Sequence, residues 1–431
     1  MPASRVRFSI LVLLFFVTVL NCADRATLSI AGPDAAKQLG MSPIAVGIVF
    51  SAFGWAYVIF QIPGGLLLDR FGSKRVYACS IAAWSLFTLL QAAAGYFHGT
   101  AAVVVLFTLI FLMGAAEAPA FPGNSRIVAA WFPSSERGTA AAIFNSAQYL
   151  ATVLFAPFTG WITHAFGWRY VFLTMGTLGV LVIPVWWKVI YGPREHPRIN
   201  AAELAHIEQG GGLVDMDRKS GGGAGPSWHA VRQLLGNRML VGVYVGQYCI
   251  TTLTYFFLTW FPTYLVKARG LSILKAGFAA AVPALFGFCG GVLGGVFSDW
   301  LLRRGCSLAV ARKTPIVIGM LLATSMMICN YVHAVWIVLS VMSLAFFGKG
   351  IGSLGWAVIS DSSPKQSAGL SAGLFNMFGN TAGITTPMVI GFVVGTTNSF
   401  NGALVFVAAN ALGAILCYLV VVGEIQRVEL T

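Results

Sequence analysis

Twelve apolar stretches, each long enough to cross a lipid bilayer as a helix, constrain the fold of this 431-residue chain more than any other feature. The hydrocarbon core of a bilayer is about 30 Å thick and takes about 20 apolar residues per helix. The stretches lie at 8–31, 43–67, 76–97, 101–125, 138–162, 169–190, 238–262, 274–298, 314–332, 335–360, 367–394 and 401–423. The predicted fold class is therefore an all-α membrane protein with two six-helix halves, 1–190 and 238–431, joined by 191–237.

Composition agrees with a membrane protein and excludes an ordinary soluble one. Apolar residues make up 57% of the chain and charged residues only 10%, well outside the usual soluble balance. The net charge of +13 does not come from a basic patch interleaved with aromatic residues, so no nucleic-acid partner is expected. Seven cysteines without CxxC spacing indicate free thiols. No metal, no cofactor and no enzymatic activity are predicted.

The distribution of basic residues predicts how the chain is oriented. Of the 27 Lys and Arg residues, 20 lie on the side that holds both termini and five on the opposite side. Cytoplasmic loops carry the excess of basic residues, so both termini of this multi-pass protein are predicted to be cytoplasmic. The interval 191–237 lies on the same side and contains "GGGLVDMDRKSGGGAGPS". Its glycine, serine and charge content is typical of a mobile linker.

The two halves repeat each other at an offset near 230 residues. The segment "GLLLDRFGSKR" follows the second span and "GVFSDWLLRR" follows the eighth, while "AAIFN" and "AGLFN" match in the fifth and eleventh. Repeated halves with a substrate site between them are a common plan of secondary transporters. The acidic and basic residues of the repeated loops are predicted to pair at a gate. The candidate gate residues are Asp69, Arg70, Arg75, Arg126 and Asp299.

Ionisable side chains inside the spans are the first functional candidates, because a charge within a bilayer is costly. Asp24 and Arg25 are adjacent in the first span, Glu117 lies in the fourth and Lys349 in the tenth. Asp24 and Arg25 could form a structural ion pair. A buried acid near Arg25 could instead change protonation when the arginine changes partner, as proton coupling requires. Lys349 has no acid one turn away, so a substrate carboxylate or a residue of another helix is expected to pair with it.

Polar side chains on several spans describe a cavity for a polyhydroxylated anion. Lys349, Ser353 and Trp356 have i, i+4 and i+7 spacing and are expected on one helical face. Trp356 could stack on a carbon chain or pack in the core, and some polar groups will join helices by hydrogen bonds. The predicted substrate-binding residues are Arg25, Tyr57, Asn145, Gln148, Gln247, Lys349, Ser353, Trp356 and Asn376.

Longer motifs resemble a known family. They are "DRATLSIAG", "FSAFGWAYVIFQIPGG", "EAPAFPGNSRIVAAWFP", "GTAAAIFNSAQY", "LTWFPTYLV", "ARKTPIVIGMLL" and "LAFFGKGIGSLGWAV". These motifs resemble the anion:cation symporter family of the major facilitator superfamily, and within it the bacterial glucarate/galactarate transporters. The resemblance implies uptake of sugar diacids across the bacterial inner membrane by alternating access. The implied transporter is a monomer that uses protons as its coupling ion.

The resemblance also assigns roles to individual residues. It implies that Asp24 and Glu117 carry protons. Lys349 stands where related transporters of sugar monoacids look to have a neutral amide, which implies a dianionic substrate held by Arg25 and Lys349. Ile110, in "TLIFLMGAAEAP", departs from the pattern, because the family usually has an arginine two turns before the glutamate. Either this homologue has diverged or an engineered substitution traps one conformation, and the intact surrounding pattern favours the second interpretation.

Two other functions remain open at this stage. The chain could be a proton symporter of sugar monoacids such as galactonate or hexuronates. It could also be a membrane sensor that binds a sugar acid without moving it. A sensor needs a signalling domain or partner surface, and the interval 191–237 is too short and too flexible in composition to supply one. Transport is therefore the predicted function.

Overall fold

A computed structural model shows a chain built from α-helices. It describes residues 4–41, 43–216, 228–261, 264–265, 268–271, 273–397 and 399–430. The α-helices are α1 (Val6–Gln38), α2 (Pro43–Ile59), α3 (Gln61–Phe71), α4 (Ser73–Gln91), α5 (Thr100–Glu117), α6 (Ala120–Trp131), α7 (Ser134–Phe166), α8 (Trp168–Val189), α9 (Ala201–Gln209), α10 (Trp228–Gly236), α11 (Arg238–Tyr255), α12 (Ile273–Arg303), α13 (Leu308–Ala323), α14 (Val335–Ile351), α15 (Gly355–Ser362), α16 (Ala368–Thr397) and α17 (Asn401–Leu416).

The prediction of an all-α membrane protein is confirmed. Within the described ranges, eleven helical segments are long and apolar enough to cross a bilayer, and a bent pair supplies the twelfth. That pair is α2 and α3, which meet at an angle of 46°. The bend has a local cause, because Pro63 lacks the N–H that would bond to the carbonyl of Ile59 and its ring clashes with that carbonyl. The predicted span 43–67 thus consists of two shorter helices that meet at a bend.

Contacts group the chain into two units. Unit 1 contains Met1–Trp131, Leu150–Pro226 and Lys365–Gly373, and unit 2 contains Phe132–Tyr149, Ser227–Pro364 and Leu374–Thr431. In unit 1, α2 packs against α5, and α4 packs against both α5 and α8. In unit 2, α14 packs against both α12 and α13. The domain limits 1–190 and 238–431 stay a prediction.

Glycines let neighbouring helices approach closely within each unit. A side-chain carbon at Gly114 of α5 would lie 2.8 Å from the carbonyl oxygen of Phe53 in α2. In unit 2, a side-chain carbon at Gly287 of α12 would lie 2.9 Å from the ring of Phe346 in α14. Small residues at such positions allow the close packing that stabilises helix pairs in membranes. The contact at Gly114 also brings the aromatic residues of α2 next to the end of α5 that carries Glu117.

Residues 191–216 differ from the predicted mobile linker. They include α9, whose buried Glu203 accepts hydrogen bonds from the backbone N–H groups of Val6 at 3.0 Å and Arg7 at 3.2 Å. The guanidinium of Arg7 also donates to Glu203 at 3.1 Å. An acidic side chain at the start of a helix satisfies free N–H groups and stabilises the helix dipole. This part of the linker is therefore bonded to α1, and residues 217–227 lie outside the described residues.

Replacing Glu203 by alanine should release α9 from α1. The substitution removes Glu203 as the ion-pair partner of the buried Arg7 guanidinium, and removing one partner of a buried ion pair costs about 3–5 kcal/mol. Limited proteolysis of the purified protein should then cut residues 191–216 faster than in the parent. The control is Glu208→Ala, which breaks an exposed pair with Arg194 worth about 1 kcal/mol or less. Equal cleavage of the two variants would contradict the anchoring role.

Candidate functional site

Arg25 and Glu117 form an ion pair between α1 and α5 in unit 1. Arg25 Nε donates to Glu117 Oε2 at 3.0 Å, and Arg25 Nη2 donates to Asn21 Oδ1 at 3.1 Å. The Glu117 side chain is fully buried, whereas 26% of the Arg25 side chain is exposed. The acid is therefore shielded from solvent, whereas part of the arginine side chain remains accessible. Ile110, two helical turns before Glu117, is completely buried.

Aromatic rings of α2 flank the same guanidinium. The Arg25 Cζ atom lies 4.4 Å from the ring centre of Tyr57 and 4.8 Å from that of Phe53. The two rings stack on each other with their centres 5.2 Å apart. Such cation–π contacts contribute about 0.5–2 kcal/mol. Tyr57, predicted to contact substrate, thus lies at the arginine predicted to bind it.

Asp24 is buried beside this pair but does not join it. Successive side chains on an α-helix point about 100° apart, and Arg25 is directed toward Glu117. Asp24 is 4% exposed, and its Oδ1 atom has no hydrogen-bond partner among the described residues. The possible Asp24–Arg25 ion pair is therefore absent from the structure. Burying an unpaired carboxylate charge is costly, and a bound proton removes that cost.

Lys349 is the buried basic residue of α14 in unit 2. Its Nζ atom donates to Tyr149 Oη at 2.6 Å and lies 5.6 Å from the ring centre of Phe346. The residue is 2% exposed, and no described acidic side chain forms an ion pair with it. A buried ammonium without an anion is unfavourable. A carboxylate supplied by a ligand would remove that penalty.

Lys349, Ser353 and Trp356 do not lie on one uninterrupted α-helix, as the predicted spacing assumed, and their common face stays a prediction. The chain leaves helical geometry between α14 and α15. Ser353 Oγ donates to the carbonyl oxygen of Lys349 at 2.8 Å. Trp356 is 2% exposed, and its ring packs edge-on against Phe144 and Phe375, with centres 6.0 and 4.7 Å away. These contacts favour the packing interpretation of Trp356.

The amide residues predicted to bind substrate form hydrogen bonds along their own helices in unit 2. Gln148 Nε2 donates to the carbonyl of Asn145 at 2.9 Å, and Asn380 Nδ2 donates to Asn376 Oδ1 at 2.8 Å. Gln247 Nε2 donates to a threonine hydroxyl one turn along α11 at 3.2 Å. Residues three or four positions apart are neighbours on a helix surface. Each bond therefore fixes an amide on one face of its helix.

Asp69 and Asp299 make equivalent contacts at corresponding places of the repeat. Asp69 accepts two backbone N–H groups from the first turn of α16, each at 2.8 Å. Asp299 accepts two backbone N–H groups near the beginning of α7, at 3.1 and 2.6 Å. A carboxylate near the N-terminus of a helix stabilises the positive end of its dipole. The repeat predicted from the sequence thus extends to individual hydrogen bonds.

The basic residues predicted at the gate divide into two groups. Arg126 is buried and forms an ion pair with Asp69. Arg70 and Arg75 are exposed, and neither forms an ion pair within the described part of the chain. The Arg70 guanidinium instead lies 5.2 Å from the ring centre of Phe71. Of the three predicted cations, the structure brings Arg126 to the aspartate.

A buried charge network in unit 2 adds residues that the sequence did not single out. Arg312 binds Asp299 at 2.9 Å and Asp361 at 3.0 Å, and Arg137 binds Asp361 at 2.7 Å. All four side chains are at most 1% exposed. Charges inside or next to an apolar span are rare, so this signal could have identified these residues as candidates in the sequence. Their mutual pairing depends on the fold.

Replacing Asp361 by asparagine should lower the stability of the protein in detergent. The substitution leaves two buried guanidinium groups short of one anion, and breaking a buried pair in this way costs about 3–5 kcal/mol. Thermal unfolding followed by intrinsic fluorescence should show a reduced midpoint. The exposed Arg304, which lies over the ring of Trp300, provides the control Arg304→Ala. A midpoint for Asp361→Asn equal to that of the control would show that the network does not stabilise the fold.

Membrane-spanning helices that carry buried ionisable side chains are typical of membrane transporters. The chain belongs to the Major Facilitator Superfamily, whose family model matches residues 14–387. It is 63% identical to the probable galactarate/D-glucarate transporter GudP of Bacillus subtilis, over 99% of this chain and 94% of that protein. It is 40% identical to the D-galactonate transporter of Escherichia coli, over 98% of this chain and 97% of that protein.

The same superfamily appears among solved structures. The proton:xylose symporter XylE shares the fold with a TM-score of 0.75 at 16% sequence identity, covering 99% of this chain and 98% of that one. This similarity concerns the fold. The resemblance to glucarate/galactarate transporters that the motifs indicate is confirmed by the relative from Bacillus subtilis.

Proposed function

We propose that this protein is a proton-coupled importer of six-carbon sugar diacids of the D-glucarate and galactarate type. The proposal rests mainly on one observation in each unit: the partly buried Arg25 of α1 lies beside Tyr57, and the buried Lys349 of α14 is hydrogen-bonded to Tyr149. A sugar diacid has one carboxylate at each end, so two cations match its charge. The relative named for galactarate and D-glucarate supports the same substrate class.

Arg25 and Lys349 would hold the two carboxylates in different ways. The planar guanidinium of Arg25 suits a bidentate contact with a carboxylate, whereas the ammonium of Lys349 acts as a compact point charge. The amides of Asn145, Gln148 and Asn376 are donors and acceptors suited to hydroxyl groups. Gln247 and Ser353 belong to the same proposed set, and the packing of Trp356 gives it a supporting role.

Glu117 and Asp24 would couple transport to protons. A proton on Glu117 neutralises the anion that now holds Arg25, which frees the guanidinium for a substrate carboxylate. Moving a dianion toward a negative interior costs about 2.3 kcal/mol per charge per 100 mV. Two accompanying protons cancel that cost, and two buried acids are the smallest set that could carry them. Alternating access of the substrate site to the two sides would complete the cycle.

The proposal includes a location and an orientation. The protein would lie in the bacterial inner membrane as a monomer, with both termini in the cytoplasm. The excess of Lys and Arg on the side of the termini supports this orientation through the positive-inside rule. Asp69, Arg126 and Asp299 would stabilise one conformational state through the helix-end contacts described above. Breaking those contacts would then accompany the change of state.

Uptake by proteoliposomes tests the proposed function. Labelled D-glucarate should accumulate when the outside is more acidic than the lumen, and an ionophore that collapses the gradient should abolish accumulation. Unlabelled galactarate should compete more strongly than galactonate. Stronger competition by galactonate would favour a monoacid transporter. Saturable binding without accumulation would favour a sensor, and either result would overturn the proposal.

A further inference from the structure

An apolar groove runs between the first half of α1 and the end of α8 in unit 1. Its volume is about 550 Å³. On α1 the wall consists of Phe8, Val12 and Phe16, which are 44, 54 and 58% exposed, and on α8 it consists of Val185 and Val189. The α1 residues follow one another at intervals of four and form one continuous stripe. This stripe is about 12 Å long at 1.5 Å per residue.

Two arginines stand at one end of the same groove. Arg5 and Arg198 both line it, both are exposed, and neither has an ion-pair partner among the residues described. The neighbouring Arg7, in contrast, is paired with Glu203. His196 also lines the groove. Burial and the nearby charge of Arg198 hold the pKa of His196 below its usual value, so the imidazole is neutral at pH 7.

We propose that this groove binds an anionic phospholipid, with the headgroup phosphate between Arg5 and Arg198 and an acyl chain along Phe8, Val12 and Phe16. The two unpaired positive charges beside a long hydrocarbon surface match an amphiphile with an anionic end. A soluble anion would contact the arginines but would leave the apolar wall uncovered. Basic pockets between membrane helices are a known setting for anionic headgroups.

The position of the two arginines gives the bound lipid a structural consequence. Arg5 precedes α1, and Arg198 belongs to the segment between α8 and α9. One phosphate would therefore join the beginning of α1 to the segment that leads into α9. This contact would add to the bonds that Glu203 makes with Val6 and Arg7. The proposed lipid site is independent of the substrate proposal, because it shares no residue with it.

Lipid titration followed by native mass spectrometry of the full-length protein in detergent tests this site. The probes are phosphatidylglycerol and phosphatidylethanolamine with identical acyl chains. The groove variant is Arg5→Gln/Arg198→Gln, and the matched control is Arg303→Gln/Arg304→Gln, which removes two exposed charges at the end of α12. A basic side chain near an anionic headgroup contributes a factor of about five in affinity. The groove variant should therefore lose about 30-fold in phosphatidylglycerol affinity, while the control and all phosphatidylethanolamine affinities stay unchanged.

A second variant tests the acyl-chain part of the site. Val12→Trp fills the groove but keeps both arginines, and it should reduce phosphatidylglycerol binding at least tenfold relative to the parent. Glycerol 3-phosphate, which carries the phosphate without the chains, should not compete at millimolar concentration. Equal phosphatidylglycerol affinity in the groove variant and its control would overturn the proposal. Full competition by glycerol phosphate would also overturn it and would identify a site for soluble phosphates.

Discussion

The Glu117→Gln variant is expected to lose the accumulation of D-glucarate driven by a pH gradient. Glutamine keeps the size of the side chain and can still accept a hydrogen bond from Arg25, but it cannot alternate between a charged and a neutral form. Each coupled proton contributes about 1.4 kcal/mol per unit of pH difference, which is a factor of about ten in accumulation. With a gradient of two pH units, losing one coupled proton should lower accumulation about 100-fold.

Proteoliposome uptake at several imposed gradients measures this effect. Exchange of labelled for unlabelled glucarate at equal concentrations needs no gradient and should persist in Glu117→Gln, which would show that the variant is folded and binds substrate. Glu208→Gln, on the exposed surface of α9, is the matched control and should behave as the parent does. Gradient-driven accumulation by Glu117→Gln equal to that of the parent would refute the coupling role.

The Lys349→Asn variant is expected to bind D-glucarate about 100-fold more weakly than the parent. A hydrogen bond to a charged group contributes about 1.5–3 kcal/mol, and the ammonium is the basic group that unit 2 places in a buried position next to Tyr149. Galactonate, with one carboxylate, should lose less than threefold if Arg25 binds that carboxylate. The preference between the two substrates should therefore shift toward the monoacid.

Isothermal titration calorimetry with both substrates measures this shift. Thermal unfolding gives an independent readout, because removing a buried ammonium that lacks an anion should raise the midpoint of the ligand-free protein. Tyr149→Phe keeps the charge and removes the hydrogen-bonding hydroxyl, so its glucarate affinity should fall much less than in Lys349→Asn. An equal loss for both substrates in Lys349→Asn would contradict a role in recognising the second carboxylate.

The distribution of charges along the sequence identified candidate site residues but did not identify their partners. Asp24, Arg25, Glu117 and Lys349 stand out because charges are rare in apolar spans, and the structure places all four in buried or partly buried positions. The sequence left open whether Arg25 pairs with Asp24 or with Glu117. Arg25 contacts Glu117, 92 positions away, rather than its neighbour Asp24, because side-chain directions on the helix decide which groups meet.

Two other predictions, the helical spacing at 349–356 and the mobile linker at 191–237, missed local features of the structure. The i, i+4, i+7 spacing of Lys349, Ser353 and Trp356 assumed one continuous helix, whereas the chain leaves helical geometry between α14 and α15. The composition of 191–237 suggested mobility, but a single buried glutamate, Glu203, bonds α9 to α1. Both results depend on a few specific contacts, which average properties such as composition and periodicity do not record.

The sequence by itself determined the membrane class, the number of spans and the repeated halves. Hydrophobicity over about 20 residues and the mean charge of loops are local properties, and the bilayer imposes them on any spanning chain. The tertiary structure alone decided the partners of buried charges, such as the binding of Arg312 to both Asp299 and Asp361. Ion pairing acts over a few ångströms, and only the packing of helices brings residues so distant in sequence within that range.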